Sequence, residues 1–212
     1  MALSKLHNVT YYELNNEMNI PLHGKIQLNK DHEALEAFLK ENVRPNTIHF
    51  KSLKARLHYL ISHDYIEAGF IKKYPFAFIQ KLYRYLKAQH FHFKSFMAAY
   101  KYYAQYTLKT NDNEYYLENF IDRVAANALL FADGNQKLAM DIANEIIHQR
   151  YQPATPSFLN AGRKRRGEFV SCFLIQTTDN MNTIGRTINS ALQLSKIGGG
   201  VGINLSNLRA AG

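Results

Sequence analysis

Residues 168–205 read EFVSCFLIQTTDNMNTIGRTINSALQLSKIGGGVGINL, and this stretch decides the fold. Its first nine residues, 168–176, are apolar, partly branched and aromatic, which predicts a buried strand. Asp179 and Asn180 are suited to cap a helix that carries Ile184, Ile188, Ala191, Leu192 and Ser195. Gly198-Gly199-Gly200-Val201-Gly202 then leads into a second short strand over 201–205. Strand, helix, strand implies a right-handed crossover in a largely parallel sheet. Two strands do not make a stable sheet by themselves. The expectation is therefore that the sheet is begun here and that the sequence is part of something longer.

Upstream the pattern is helical. Apolar residues recur every three or four positions, the period of amphipathic helices packed on one another. Asp31 is read as the cap of a helix with Leu35, Phe38 and Leu39 on its face. Asn46 is read as the start of another, with Phe50, Leu53, Leu57, Leu60 and Ile61. Pro75 breaks the chain. Further faces comprise Phe93, Phe96, Met97, Tyr100 and Ala104, then Leu117, Phe120, Ile121, Val124 and Ala128. Leu138, Ile142 and Ile146 follow beyond Gly134. At Tyr151 the character changes: Pro153-Ala154-Thr155-Pro156-Ser157 is predicted to be an extended turn. The fold class expected is α+β, mostly helical first and then the opening of a sheet.

Composition excludes some classes. No apolar run reaches the ~20 residues of a membrane helix. Met1 to Lys5 lack the apolar stretch of a signal peptide, which gives a cytoplasmic location by default. The one cysteine, Cys172, cannot close a disulfide within these 212 residues. It is either a buried packing residue, the commoner fate of a free cysteine, or a thiol whose partner lies elsewhere. The formal charge of +9 is spread over helical segments apart from one cluster, Arg163-Lys164-Arg165-Arg166. Such a cluster suits a nucleotide, a nucleic acid or an acidic partner, and charge alone does not choose among them.

Local motifs are individually weak. Phosphate loops run strand, glycines, helix, so that a helix N-terminus meets the phosphate. Here the order is helix, glycines, strand. The glycine run is either a tight turn or a place where a ligand approaches the backbone. Glu145-Ile146-Ile147-His148 has the Glu-x-x-His spacing of di-iron helices, but one copy cannot build a metal site and ordinary helix surface is the preferred reading. No metal is expected in this chain. Ser171 and Cys172 are adjacent, so in a regular strand their side chains point to opposite faces. Either one acts through its backbone or the strand is bent there.

Three stretches combine into a specific signal: 151–162 (YQPATPSFLNAG), 166–174 (RGEFVSCFL) and 193–201 (QLSKIGGGV). In this order and spacing they resemble the large subunit of class I ribonucleotide reductase, nearest the class Ib type. Tyr106 to Thr110 and Tyr116-Leu117-Glu118 fit the same family upstream. The resemblance implies a short or degenerate ATP-cone-like region over 1–75 and a helical reductase domain over 76–166. Over 167–212 it implies the first strands of a ten-stranded α/β barrel. The family removes the ribose 2′-hydroxyl of ribonucleoside diphosphates by thiyl-radical chemistry, for deoxyribonucleotide and DNA synthesis, while a cysteine pair becomes a disulfide.

By that resemblance Cys172 is the first member of the reducing pair, and its partner lies outside these residues. Thr155, Ser171 and Gly200, with Cys172, match substrate-binding positions. Asp179, Asn180, Met181, Ile184 and Arg209 match the pocket of the allosteric specificity effector. The partners implied are a radical-generating small subunit with a dimetal (Mn or Fe) tyrosyl-radical centre, the C-terminal remainder of the large subunit, and a thioredoxin- or glutaredoxin-like reductant. Nucleoside triphosphate effectors are implied too. No cofactor is expected in this chain itself, and the 212 residues alone are expected to be inactive. The alternative is a basic helical module that binds nucleic acid or a partner and does no chemistry.

Overall fold

A computed structural model describes residues 10–210; the leader reading at Met1 to Lys5 falls outside that range. The chain divides into two units, residues 1–165 and 166–212. Within the first lie helices α1 (Thr10–Met18), α2 (Leu28–Phe38), α3 (Leu53–Ser62), α4 (Ala68–Lys72) and α5 (Phe76–Ala88). They are followed by α6 (Phe96–Lys101), α7 (Phe120–Phe131), α8 (Gln136–Ile147) and α9 (Thr155–Asn160). Two π-helical turns, Leu39–Val43 and Tyr102–Tyr106, extend α2 and α6.

Helices α3, α6, α7 and α8 start where a short polar side chain satisfies an orphan N–H of the first turn. Ser52 accepts from the Ala55 N–H, Ser95 from Ala98 and Asn135 from Leu138. Asn119 and Asp122 form a reciprocal capping box at α7. That helix lies at the centre of the unit and packs against α4, α5, α8 and α9. Its Val124, Ala125 and Ala128 are fully buried. Two alanines on the contact face let neighbouring helices approach closely. Phe120, at its start, stacks on Phe91 with ring centroids 4.1 Å apart. Gly134, at φ +95, makes the turn into α8 that a side chain would strain.

Charge is also buried here. Arg123 is fully buried on α7, and Glu118, just ahead of the helix, is 4% exposed. The Glu118 carboxylate accepts the Leu108 N–H at 2.8 Å and lies 3.6 Å from both Arg123 and Arg163. Arg123 in turn donates to the carbonyls of Leu159, at 3.1 Å, and Ala161. Asp122 meets Arg56 at 3.0 Å. Burial pushes the Asp122 carboxyl up from its ordinary value, and the Arg56 guanidinium and the Asn119 N–H pull it back.

Three expectations need correction. Asp31 does not cap its own helix, which begins earlier, after Gln27; its carboxylate accepts the Phe96 N–H at 3.2 Å instead. Asn46 starts no helix. Asn46 closes a turn, and Thr47 is bridged to Tyr116, whose N–H donates to the Asn46 carbonyl at 2.7 Å and whose carbonyl accepts from Ile48 at 2.9 Å, so the helix waits for Ser52. The proline-rich segment is an extended turn only up to Ala154. Thr155–Asn160 is helical, with Pro156 in the first turn, where no N–H is needed.

The second unit holds β1 (Cys172–Gln176), α10 (Met181–Lys196) and β2 (Gly200–Asn204), with the two strands parallel, so the α+β reading stands. The strand is shorter than expected and it is not buried. Phe173 and Ile175 are half-buried and alternate with exposed Cys172, Leu174 and Gln176. Leu174 is 93% exposed. That alternation marks a sheet covered on one face, here by α10. An apolar run alone does not say whether a second layer lies over it.

Replacing Arg123 with Met would leave Glu118 one ion-pair partner short and would strip the buried Ala161 carbonyl and the part-buried Leu159 carbonyl of their donor. The expected loss is about 3–5 kcal/mol, read as a fall in the urea midpoint of the chain. Arg150→Met, at the exposed pair with Glu145, is the control and should cost under about 1 kcal/mol. Equal losses for the two would contradict the assignment of Arg123 as an anchor.

Candidate functional site

The turn into β2 and the start of β1 form one locality. Cys172 stands directly opposite Gly200 in the parallel register, and the Gly200 N–H donates to the Ser171 carbonyl at 2.7 Å. The Ser171 Oγ lies 3.8 Å from the Cys172 Sγ. Ser171 lies just before the regular strand, and its backbone carbonyl is engaged by Gly200. The thiol is exposed. The buried-packing reading of Cys172 is thus corrected: among the described residues no second layer covers that position.

The three glycines separate by cause. Gly198 has φ +91, the left-handed turn that ends α10. A Cβ on Gly199 would lie 2.6 Å from the Phe173 ring and 2.9 Å from the Leu194 carbonyl, so packing excludes it. At Gly200 a Cβ would meet only the Ser171 carbonyl, at 3.5 Å, an ordinary contact. The turn and the packing therefore explain two glycines and leave the third, which faces the thiol's strand, without an internal steric reason.

A second locality forms where β1 runs into α10. Asn180 caps the helix by accepting from the Thr183 N–H at 3.0 Å. Asp179 receives the Arg209 Nε at 2.6 Å. Met181 is exposed at the helix start and Ile184 is half-covered one turn on. The structure so brings together the residues matched to the effector pocket, with Arg209 and Asp179 paired to one another. An arginine held by one exposed carboxylate keeps guanidinium donors for a phosphate.

Thr155 opens α9 in the helical unit and is exposed. Its Oγ1 lies 3.0 Å from the Tyr106 hydroxyl. The sequence reading used Tyr106 and Glu118 only as marks of resemblance and Arg163 only as part of the basic cluster. A lone tyrosine or arginine carries no spacing signal for such a contact. Arg163 also leaves the basic cluster: its guanidinium donates to the Tyr106 carbonyl and faces Glu118. Glu145 is taken by Arg150 through both carboxylate oxygens, at 2.7 and 2.8 Å, which is the helix-surface reading of Glu-x-x-His. Among the described residues no group of His, Cys, Asp and Glu is placed to hold a metal ion, and no helix is long and apolar enough to cross a membrane.

The helical unit also has a groove of about 580 Å³, bordered by His49, Lys51, Arg84 and Lys87, with the Arg56–Asp122 pair in its lining. Its cations suit a phosphate.

Comparison with known proteins places the chain in a family. Residues 11–91 match the family model Ribonucleotide reductase N-terminal. Residues 92–166 match Ribonucleotide reductase, all-alpha domain, and residues 170–212 match Ribonucleotide reductase, barrel domain. The chain is 47% identical over 202 residues to the ribonucleoside-diphosphate reductase subunit alpha of Bacillus subtilis, covering 95% of this chain and 29% of that protein. It is 48% identical over 202 residues to the NrdEB subunit alpha of the same organism, covering 95% and 19%. With the Mycoplasma genitalium subunit alpha it shares 49% over 182 residues, covering 86% and 25%. The chain thus spans less than a third of the length of these curated relatives. Three consecutive domain matches and near-half identity along almost all of its length show that the chain belongs to the ribonucleotide reductase family, among the alpha subunits.

Proposed function

We propose that the chain serves as the opening part of a ribonucleoside-diphosphate reductase alpha subunit. The observation that carries this is the exposed Cys172 thiol facing a glycine that packing does not demand. In the proposed reaction the substrate's ribose 2′-hydroxyl leaves as water and the 2′-carbon gains a hydrogen. The two electrons come from two thiols, Cys172 and a second one outside these residues, which join as a disulfide. A small subunit supplies the initiating radical. An external dithiol resets the pair by exchange, for which an accessible sulfur is required.

The remaining assignments belong to the same proposal. In the second unit, Ser171 offers its hydroxyl to the substrate diphosphate, and Gly200 leaves space for the ligand. In the helical unit, Thr155 offers its hydroxyl to a diphosphate oxygen. Asp179, Asn180, Met181, Ile184 and Arg209 form part of an effector pocket for a nucleoside triphosphate. Residues 1–75 form a cone-like remnant and 76–166 a helical reductase domain; the cationic groove supports nucleotide binding in that part of the chain. The nucleic-acid module is not favoured, because Arg163, a member of its one dense basic cluster, is turned inward onto Glu118.

Glycine substitutions separate packing from ligand approach. Gly199→Ala should lower stability by about 1–3 kcal/mol, as overpacking does. Gly200→Ala should change the melting temperature little and raise the substrate KM severalfold in the complete reductase. An unchanged KM would remove Gly200 from the substrate site.

Activity gives the broader test. The 212-residue chain assayed with a small subunit, a dithiol and a nucleoside diphosphate should show no turnover, having a single sulfur for the reducing pair. In the complete reductase, Cys172→Ser should abolish turnover with dithiol while leaving nucleotide binding intact. A deoxynucleoside triphosphate should raise the melting temperature, and Arg209→Ala should remove most of that rise. Turnover by Cys172→Ser would overturn the reading, and an undiminished rise would remove Arg209 from the effector site.

A further inference from the structure

Tyr106 is placed to govern the one proton that Thr155 can give. A threonine hydroxyl has a single O–H donor and two acceptor lone pairs. The 3.0 Å contact between the Tyr106 hydroxyl and Thr155 Oγ1 can run either way. If Thr155 donates to Tyr106, its proton is consumed inside the protein. If Tyr106 donates to Thr155, the threonine proton is left for a ligand oxygen. A phosphate oxygen only accepts, so a bound diphosphate selects the second arrangement, and each bond in such a chain polarises the next.

The tyrosine is itself held from three sides. Its ring packs on Phe158 of α9, with centroids 5.9 Å apart. Its carbonyl accepts from the Arg163 guanidinium, which is fixed by buried Glu118. The next residue, Thr107, donates its hydroxyl proton to the Glu118 carbonyl at 2.7 Å. A phenol so anchored has little freedom to follow another partner. The Thr155 hydroxyl is exposed, with one face turned to Tyr106 and the rest available.

We infer that Tyr106 is a positioning residue for diphosphate binding: it donates to Thr155 Oγ1 and so directs the threonine O–H toward the substrate. The inference rests on the reading that Thr155 contacts the diphosphate. Tyr106 itself need not touch the ligand, and it takes no part in the redox step.

The test is a double-mutant cycle in the complete reductase, with KM and kcat measured for a nucleoside diphosphate in Tyr106→Phe, Thr155→Val and the double variant. Phenylalanine keeps the ring against Phe158, and thermal melts confirm folding. Thr155→Val should raise KM about tenfold, the scale of one hydrogen bond to a charged group. Tyr106→Phe should raise KM roughly three- to fivefold, less than loss of the ligand contact itself because it removes only the orienting bond, with kcat within about twofold. Its effect should vanish in the Thr155→Val background and persist with Thr155→Ser, which keeps the hydroxyl. Equal factors in both backgrounds would overturn the inference, since Tyr106 would then act independently of Thr155. So would an unchanged KM in Tyr106→Phe while Thr155→Val is impaired. An unchanged KM in Thr155→Val would instead bring down the underlying reading of Thr155.

Discussion

A buried carboxylate organises the helical unit. Glu118 has left water almost completely, and an ion in that position is tolerated only when its oxygens are satisfied. One of them, Oε1, accepts the Leu108 N–H and lies 3.6 Å from two guanidinium groups. The arginines then reach beyond it: Arg123 to the end of α9, Arg163 to the backbone at Tyr106. One charge therefore ties together α7, the segment after α6, and the short helix that carries Thr155. Apolar packing alone would tolerate a sliding of these elements by a fraction of an ångström, whereas directed donors fix their register. In this account the buried cluster exists to hold an exposed hydroxyl in place.

The second unit follows a different logic. Its strands are covered on one face, and several large apolar side chains, including Leu174 and Met181, are open. Against that background the exposure of Cys172 fits a sulfur that must meet other sulfurs in turn, since exchange proceeds only where an attacking thiolate can reach. The same strand start holds Ser171 and faces Gly200, so the reducing atom and the proposed ligand contacts share a few residues of backbone.

Much of this was legible in the sequence, and the reasons are local. A short polar residue before an apolar period marked the helix start at Asn180; the alternation of strand, helix and strand gave the parallel pair. The failures arise where tertiary contacts outweigh local preference. Asp31 looked like a cap because its side chain is one, but for Phe96, 65 positions away. Asn46 looked like a helix start until Tyr116 claimed its backbone. The strand over 168–176 was read as buried because hydrophobicity does not report which layers are present. At the site, Cys172, Gly200, Asp179 and Arg209 were singled out through the family resemblance, and the contact between the last two was not read. Nor was the Tyr106–Thr155 contact, because 49 residues separate its members and neither belongs to a periodic pattern that would pair them.

The central claim is that the sulfur at Cys172 supplies electrons to the nucleotide. It is tested most directly by single turnover in the complete reductase, reduced beforehand and freed of external dithiol. Thiols are then alkylated and the Cys172 peptide is weighed by mass spectrometry. The account predicts that Cys172 passes from free thiol to disulfide in step with product, one bond per deoxynucleotide formed. Product accumulating in full while Cys172 stays alkylatable would contradict it.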